Sequence, residues 1–133
     1  MSTPVLQQSL APILVIEDEP SVIAFLRAAL QRRGYHVEHA ASGADGLALL
    51  KDGRYAGVIS DVRMPGSVNG AEVHRWIQQH RPELAARIIL ISGDTANSET
   101  QSLLQRSGTP CIEKPFRVQQ FITVVEQTMG KAR

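Results

Sequence analysis

Apolar residues fall along this chain in two alternating rhythms. Runs of four or five consecutive apolar residues, rich in Ile and Val, alternate with longer stretches where apolar positions recur every three or four residues. The first rhythm is that of strands buried on both faces, and the second that of helices with one face on a core. Pro12-Ile13-Leu14-Val15-Ile16 is the first run, and it stops at Glu17-Asp18-Glu19. Pro20 and Ser21 then open a helix with Val22, Leu26, Ala29 and Leu30 on one stripe. Arg32-Arg33-Gly34 closes it, with cations in the last turn and glycine suited to the left-handed position that follows. Tyr35 to Ala40 alternates as a strand does. Ser42, with Asp45 three residues on, caps a helix that turns Leu47 and Leu50 inward and ends at Gly53.

A strand over Ala56 to Ser60 leads to Asp61, and Met64-Pro65-Gly66 breaks the pattern after it. Asn69 and Glu72 form a second cap pair, opening a helix through Val73, Trp76 and Ile77 that Pro82 ends. Ile88-Ile89-Leu90-Ile91 is a fourth buried strand, ending in Ser92-Gly93-Asp94. Thr95 to Ser107 predicts a loosely held helix, since Leu103 and Leu104 are its only large apolar residues. Thr109 to Glu113 reads as a short final strand ending at Lys114-Pro115-Phe116. The last helix carries Val118, Phe121, Ile122, Val125 and Met129 on one stripe.

Five strand–helix alternations imply an α/β domain, a parallel sheet with helices on both faces. The first, third and fourth strands are the most apolar and belong at its centre. The expected organisation is an arm over residues 1–11, one domain over 12–130 and a tail over 131–133. With 133 residues, such a domain buries roughly two-thirds of its unfolded surface. A net charge of +1 gives no electrostatic bias toward nucleic acid or membrane. The single cysteine, Cys111, excludes an internal disulfide. No apolar run approaches the ~18 residues that span a bilayer. The first four residues, Met1-Ser2-Thr3-Pro4, lack the basic flank and apolar core of a secretory signal, so a cytoplasmic location is expected.

Chemistry gathers where strands stop. Glu17 and Asp18, Asp61, Ser92 and Lys114 follow four of the strands, and in a parallel sheet these ends share one edge, where ligands bind. Singly, each has a plain structural explanation: a turn aspartate, acids at a helix N-terminus, a serine before glycine, a surface lysine. Together they form a site. Two carboxylates about 4 Å apart repel by ~4 kcal/mol at an effective dielectric of 20, so three need a cation or a proton. Mg²⁺, which takes one or two carboxylates with waters and phosphate oxygens, answers that need. Lys114 and Ser92 suit the remaining oxygens of a phosphoryl group carried by Asp61. The four histidines, His36, His39, His74 and His80, lack metal-ligand clustering.

Asp61-x-x-Met64-Pro65 together with Lys114-Pro115-Phe116 resembles the response-regulator receiver domain of two-component signalling, over about Ile13 to Met129. The resemblance implies a flavodoxin-like (βα)5 three-layer sandwich with strand order 2-1-3-4-5. It also implies that Asp61 is the phosphoacceptor and that Ser92 and Lys114 act on its phosphate. Glu17, Asp18, Asp61 and the backbone carbonyl of Arg63 would bind Mg²⁺, and Lys114–Pro115 would be a cis peptide. The implied partners are a histidine kinase or phosphotransfer protein and an unknown output protein, with no direct nucleic acid or membrane contact. A phosphorylation-dependent homodimer is one implied mode of output. No enzymatic turnover beyond self-catalysed phosphoryl transfer and dephosphorylation is expected.

Three departures from the family pattern carry expectations of their own. Cys111 stands where the family places an aromatic switch residue. The loop Gly66-Ser67-Val68-Asn69-Gly70 is one residue long against the family pattern. Arg63 and Asp94, with opposite charges, are positioned to pair across the pocket. Competing readings are a receiver excised from a larger regulator or hybrid kinase, an aspartyl-phosphate hydrolase, and a flavin- or nucleotide-binding module. The hydrolase wants an acid two residues after the nucleophile, where Arg63 stands. The nucleotide module wants a phosphate loop where Glu17-Asp18-Glu19-Pro20 stands.

Overall fold

The computed structural model describes residues 11–63, 68–94 and 96–130. The expected N-terminal arm, apart from Ala11, the C-terminal tail and the Met64-Pro65-Gly66-Ser67 part of the loop lie outside the described residues. Five parallel strands, β1 (Ile13–Ile16), β2 (Val37–Ala40), β3 (Gly57–Asp61), β4 (Ile88–Ser92) and β5 (Cys111–Glu113), form one sheet in the order β2-β1-β3-β4-β5. The helices between and after them are α1 (Pro20–Arg32), α2 (Gly43–Asp52), α3 (Gly70–His80), α4 (Ser98–Ser107) and α5 (Val118–Met129).

Alternation along the strands divides the core in two. Leu14, Ile16, Val58 and Leu90 meet Leu50 of α2, Val73 and Ile77 of α3 and Leu103 of α4. Ile13, Val15, Ile59, Ile89, Ile91 and Ile112 meet Leu26 and Leu30 of α1 and Phe121, Ile122 and Val125 of α5. Every residue of β1, β3 and β4 is buried, which is why those three strands read as unbroken apolar runs. No helix among the described residues is long and apolar enough to cross a membrane.

The helix signals act as their chemistry predicts. Asn69 accepts the Glu72 amide while the Glu72 carboxylate accepts the Asn69 amide, a complete capping box. Ser42 accepts the Asp45 amide without the reciprocal bond, as the shorter acid dictates. Gly34, after α1, has φ of 89°, the left-handed region where glycine has no Cβ penalty.

Several expectations change. The fourth helix begins at Ser98, because Asn97 caps it by accepting the Glu99 and Thr100 amides. Pro82, expected only to stop a helix, opens a 3-10 turn over Pro82–Arg87 that buries Leu84. Val118 is 49% exposed at the first residue of α5, so the buried stripe starts at Phe121. His74 is buried in α3, and its Nε2 lies 3.0 Å from the Thr109 hydroxyl just before β5. Burial holds its pKa below the usual imidazole value.

Candidate functional site

The ladder sets the site before any side chain does. Ser60 is in register with Ile16 and Leu90, Asp61 with Ile91, and Ser92 with Glu113. The Val62 amide donates to the Ile91 carbonyl, and the Lys114 amide to the Ser92 carbonyl. Glu17, Asp61, Ser92 and Lys114 therefore emerge at one edge of the sheet. The backbone of Asp61 and Val62 lies directly against the first residue of α3. Gly70 makes this possible, because a Cβ there would sit 2.5 Å from the Asp61 carbonyl oxygen and 2.8 Å from the Val62 Cα. Lys114–Pro115 is a cis peptide.

Asp61 is buried, and both of its carboxylate oxygens are held. Oδ2 accepts from the Lys114 ammonium at 2.7 Å, and Oδ1 accepts the Arg63 amide at 3.1 Å. Lys114 also lies 3.2 Å from Glu17 Oε1 and 3.5 Å from Glu19 Oε1. Burial alone would lower the lysine pKa. The hydrogen bond and charge of Asp61, then the negative charge of Glu17 close by, outweigh it, and the net shift is upward. The lysine is a fixed cation.

Glu17 is the innermost acid, its side chain 1% exposed. Oε2 accepts the Asp18 and Glu19 amides, at 3.2 and 3.1 Å, whereas Oε1 is buried and completes no hydrogen bond among the described residues. Its approach to Lys114 is an ion pair poorly aligned for a hydrogen bond. Burial raises the Glu17 pKa, the amide bond from Glu19 opposes this, and the Asp61 charge raises it further. Oxygens of Glu17, Glu19 and Asp61 lie within 4.8 Å of one another. Three carboxylates against one ammonium leave the site short of positive charge.

The expected residues are thus brought together unequally. Asp61, Glu17 and Lys114 converge. Asp18 is exposed and is not one of the three grouped carboxylates. Ser92 is buried at the same edge, its hydroxyl oxygen accepting the Asp94 amide at 3.0 Å. Arg63 and Asp94 form no ion pair. Arg63 instead lines the groove between α3 and α4, with Asn69, Glu99 and Arg106. Glu19 was not singled out from its acidic neighbours. The only sequence signal for it was the unbroken acidic triplet after β1. Cys111 is half-buried against the α2–α4 side of the core, its thiol pushed up to about 11, first by burial and then by Glu113 and Asp61.

Comparison with known proteins decides the family. The profile of the response regulator receiver domain matches residues 13–126. The chain belongs to the response regulator receiver domain family. As a receiver domain it is 32% identical over 123 residues to the sensor kinase CckA of Brucella abortus, covering 91% of this chain and 13% of that protein. It is 27% identical over 117 residues to the response regulator receiver protein CpdR of the same organism, covering 88% of this chain and 95% of CpdR. Among solved structures, the response regulator TrrA of Thermotoga maritima, in complex with Mg²⁺-BeF, superposes with a TM-score of 0.76 at 30% identity, over 89% of this receiver domain and 98% of TrrA. The receiver domain spans under half the length of several curated relatives, 13% of CckA and 42% of the transcriptional regulatory protein TcrA of Mycobacterium tuberculosis.

Proposed function

We propose that this receiver domain is a phosphorylation switch that takes a phosphoryl group onto Asp61 from a phosphohistidine of a kinase or phosphotransfer protein. The observation that carries the reading is the 2.7 Å contact between Lys114 and Asp61 within a group of three carboxylates. A buried aspartate held by a lysine at the open edge of a sheet is a ready nucleophile with a cation beside the charge it will carry.

In the transfer, an Asp61 carboxylate oxygen attacks phosphorus and the P–N bond of the donor breaks. The electron pair leaves on the imidazole nitrogen, which takes up a proton. Lys114 exchanges its bond to the carboxylate for one to a phosphoryl oxygen, and Ser92 offers its hydroxyl to another. The donor set fits a hard divalent cation, since the buried Glu17 oxygen completes no hydrogen bond among the described residues and the site has excess negative charge. Glu17, Asp18 and Asp61, with the Arg63 carbonyl, would hold Mg²⁺, and Glu19 lies near enough to contribute. When bound, Mg²⁺ neutralises charge on the donor and acceptor oxygens.

Beside Lys114, Val22, Phe25, Pro115 and Phe116 line an apolar surface, with Phe25 and Phe116 edge to face at 5.5 Å. That surface suits the donor protein. Output through protein contacts draws on α4, β5 and α5, because α4 buries only Thr100 and Leu103 and so has little packing to resist a shift. Moving such an equilibrium from about 1:99 to 99:1 takes ~5.5 kcal/mol of differential stabilisation.

Intact-mass measurement after incubation with Mg²⁺ and acetyl phosphate tests the reading. One phosphoryl group on the wild type and none on Asp61→Asn is the expected result. Equal labelling of both proteins overturns it, and rapid continuous turnover of the donor favours a hydrolase.

A further inference from the structure

Glu19 is the acid at this site that neither helix nor core requires. Its backbone occupies the position before α1, yet its side chain makes no capping hydrogen bond. The carboxylate faces Lys114 instead, Oε1 to Nζ 3.5 Å, although the side chain is 60% exposed. Glu17 and Asp61 are buried beneath it and share the same lysine, at 3.2 and 2.7 Å. The innermost oxygen of the group, Glu17 Oε1, completes no hydrogen bond among the described residues, so the ammonium does not satisfy all the acids around it. Glu19 thus adds negative charge on the solvent side of a centre already short of cations.

A phosphodonor brings further negative charge to that opening, and Lys114 must turn from the carboxylates to meet it. We infer that Glu19 is a positioning and specificity-determining residue that restrains phosphorylation, holding Lys114 on the carboxylates and repelling anionic donors in proportion to their charge. The inference rests on Asp61 being the acceptor. Since Glu19 is exposed, its action is screened by salt, unlike that of the buried Glu17. A unit charge about 6 Å from the transferring group, in a water-like dielectric, changes the rate roughly threefold for each unit of charge on the donor.

The test compares wild type, Glu19→Gln and Glu19→Lys at saturating Mg²⁺, fixed for each protein by amide chemical-shift titration. The phosphorylation rate per unit donor is measured with acetyl phosphate, a dianion, and phosphoramidate, a monoanion. The expected order is wild type, then Gln, then Lys, rising roughly tenfold per step with the dianion acetyl phosphate at low salt and roughly threefold with the monoanion. The steps shrink with phosphoramidate and again at high salt, while the thermal midpoint of Glu19→Gln stays at the wild-type value. Equal rates for the three proteins, an order that does not follow charge, or equal effects on both donors overturns the inference. If the wild type labels on Asp61 while the variants match it, only the role of Glu19 fails. If Asp61→Asn labels as well as wild type, the acceptor assignment fails and this inference with it.

Discussion

Replacing Lys114 by Met keeps the aliphatic stem and removes the one cation that Asp61, Glu17 and Glu19 share. Breaking a buried ion pair by removing one partner costs about 3–5 kcal/mol. Two features reduce that cost here. The lysine side chain is 18% exposed, and a carboxylate can take a proton once the cation is gone. A loss of about 2 kcal/mol near pH 8 follows, or roughly 7 °C in the unfolding midpoint for a domain of this size. The pH dependence is more diagnostic than the size. Glu17 already has a folded pKa above its unfolded value, mainly through burial, and loss of Lys114 raises it further. A raised carboxylate favours folding when protonated, so its contribution is lost as pH rises through the folded pKa. The penalty should therefore be large near pH 8 and shrink toward about pH 5. Urea unfolding of both proteins at the two pH values, in chelator, measures it. Wild-type stability in the variant at the higher pH, or the same loss at both, would refute the reasoning. Adding Mg²⁺ should stabilise the variant more than the wild type.

His74 has a folded pKa below its unfolded value through burial, so its contribution is complete above about pH 6.5 and is lost as pH falls, by at most ~1.4 kcal/mol per pH unit. His74→Gln should flatten that part of the stability profile in urea titrations. Gly70→Ala should cost about 1–3 kcal/mol and slow phosphorylation, because the new methyl meets backbone of Asp61 and Val62 rather than a side chain that can yield. The Cys111 thiol, at about 11 against an ordinary 9.0, should alkylate slowly in the folded protein and rapidly in urea.

The fold could be read from the sequence because β1, β3 and β4 are buried on both faces and have to be continuous apolar runs. The acids and the lysine could be read because each ends a strand, and a parallel sheet gathers those ends whatever their separation along the chain. What lay hidden depends on direction within turns, which no periodicity encodes. In Glu17-Asp18-Glu19 the middle residue is exposed while both neighbours face Lys114, and only the backbone path after β1 decides this. The opposite charges of Arg63 and Asp94 suggest a pair, yet Arg63 lines the α3–α4 groove. The spacing of His74 rules out only metal-ligand clustering, and its partner Thr109 lies 35 residues away, brought near by the fold alone.

Trapping the acyl phosphate tests the central claim most directly. After labelling with acetyl phosphate and Mg²⁺, borohydride reduces an aspartyl phosphate to homoserine, and peptide mapping locates it. Homoserine at position 61, lost in Asp61→Asn, is the predicted result. Phosphate recovered on Ser92 or a histidine, with Asp61 intact, would contradict it.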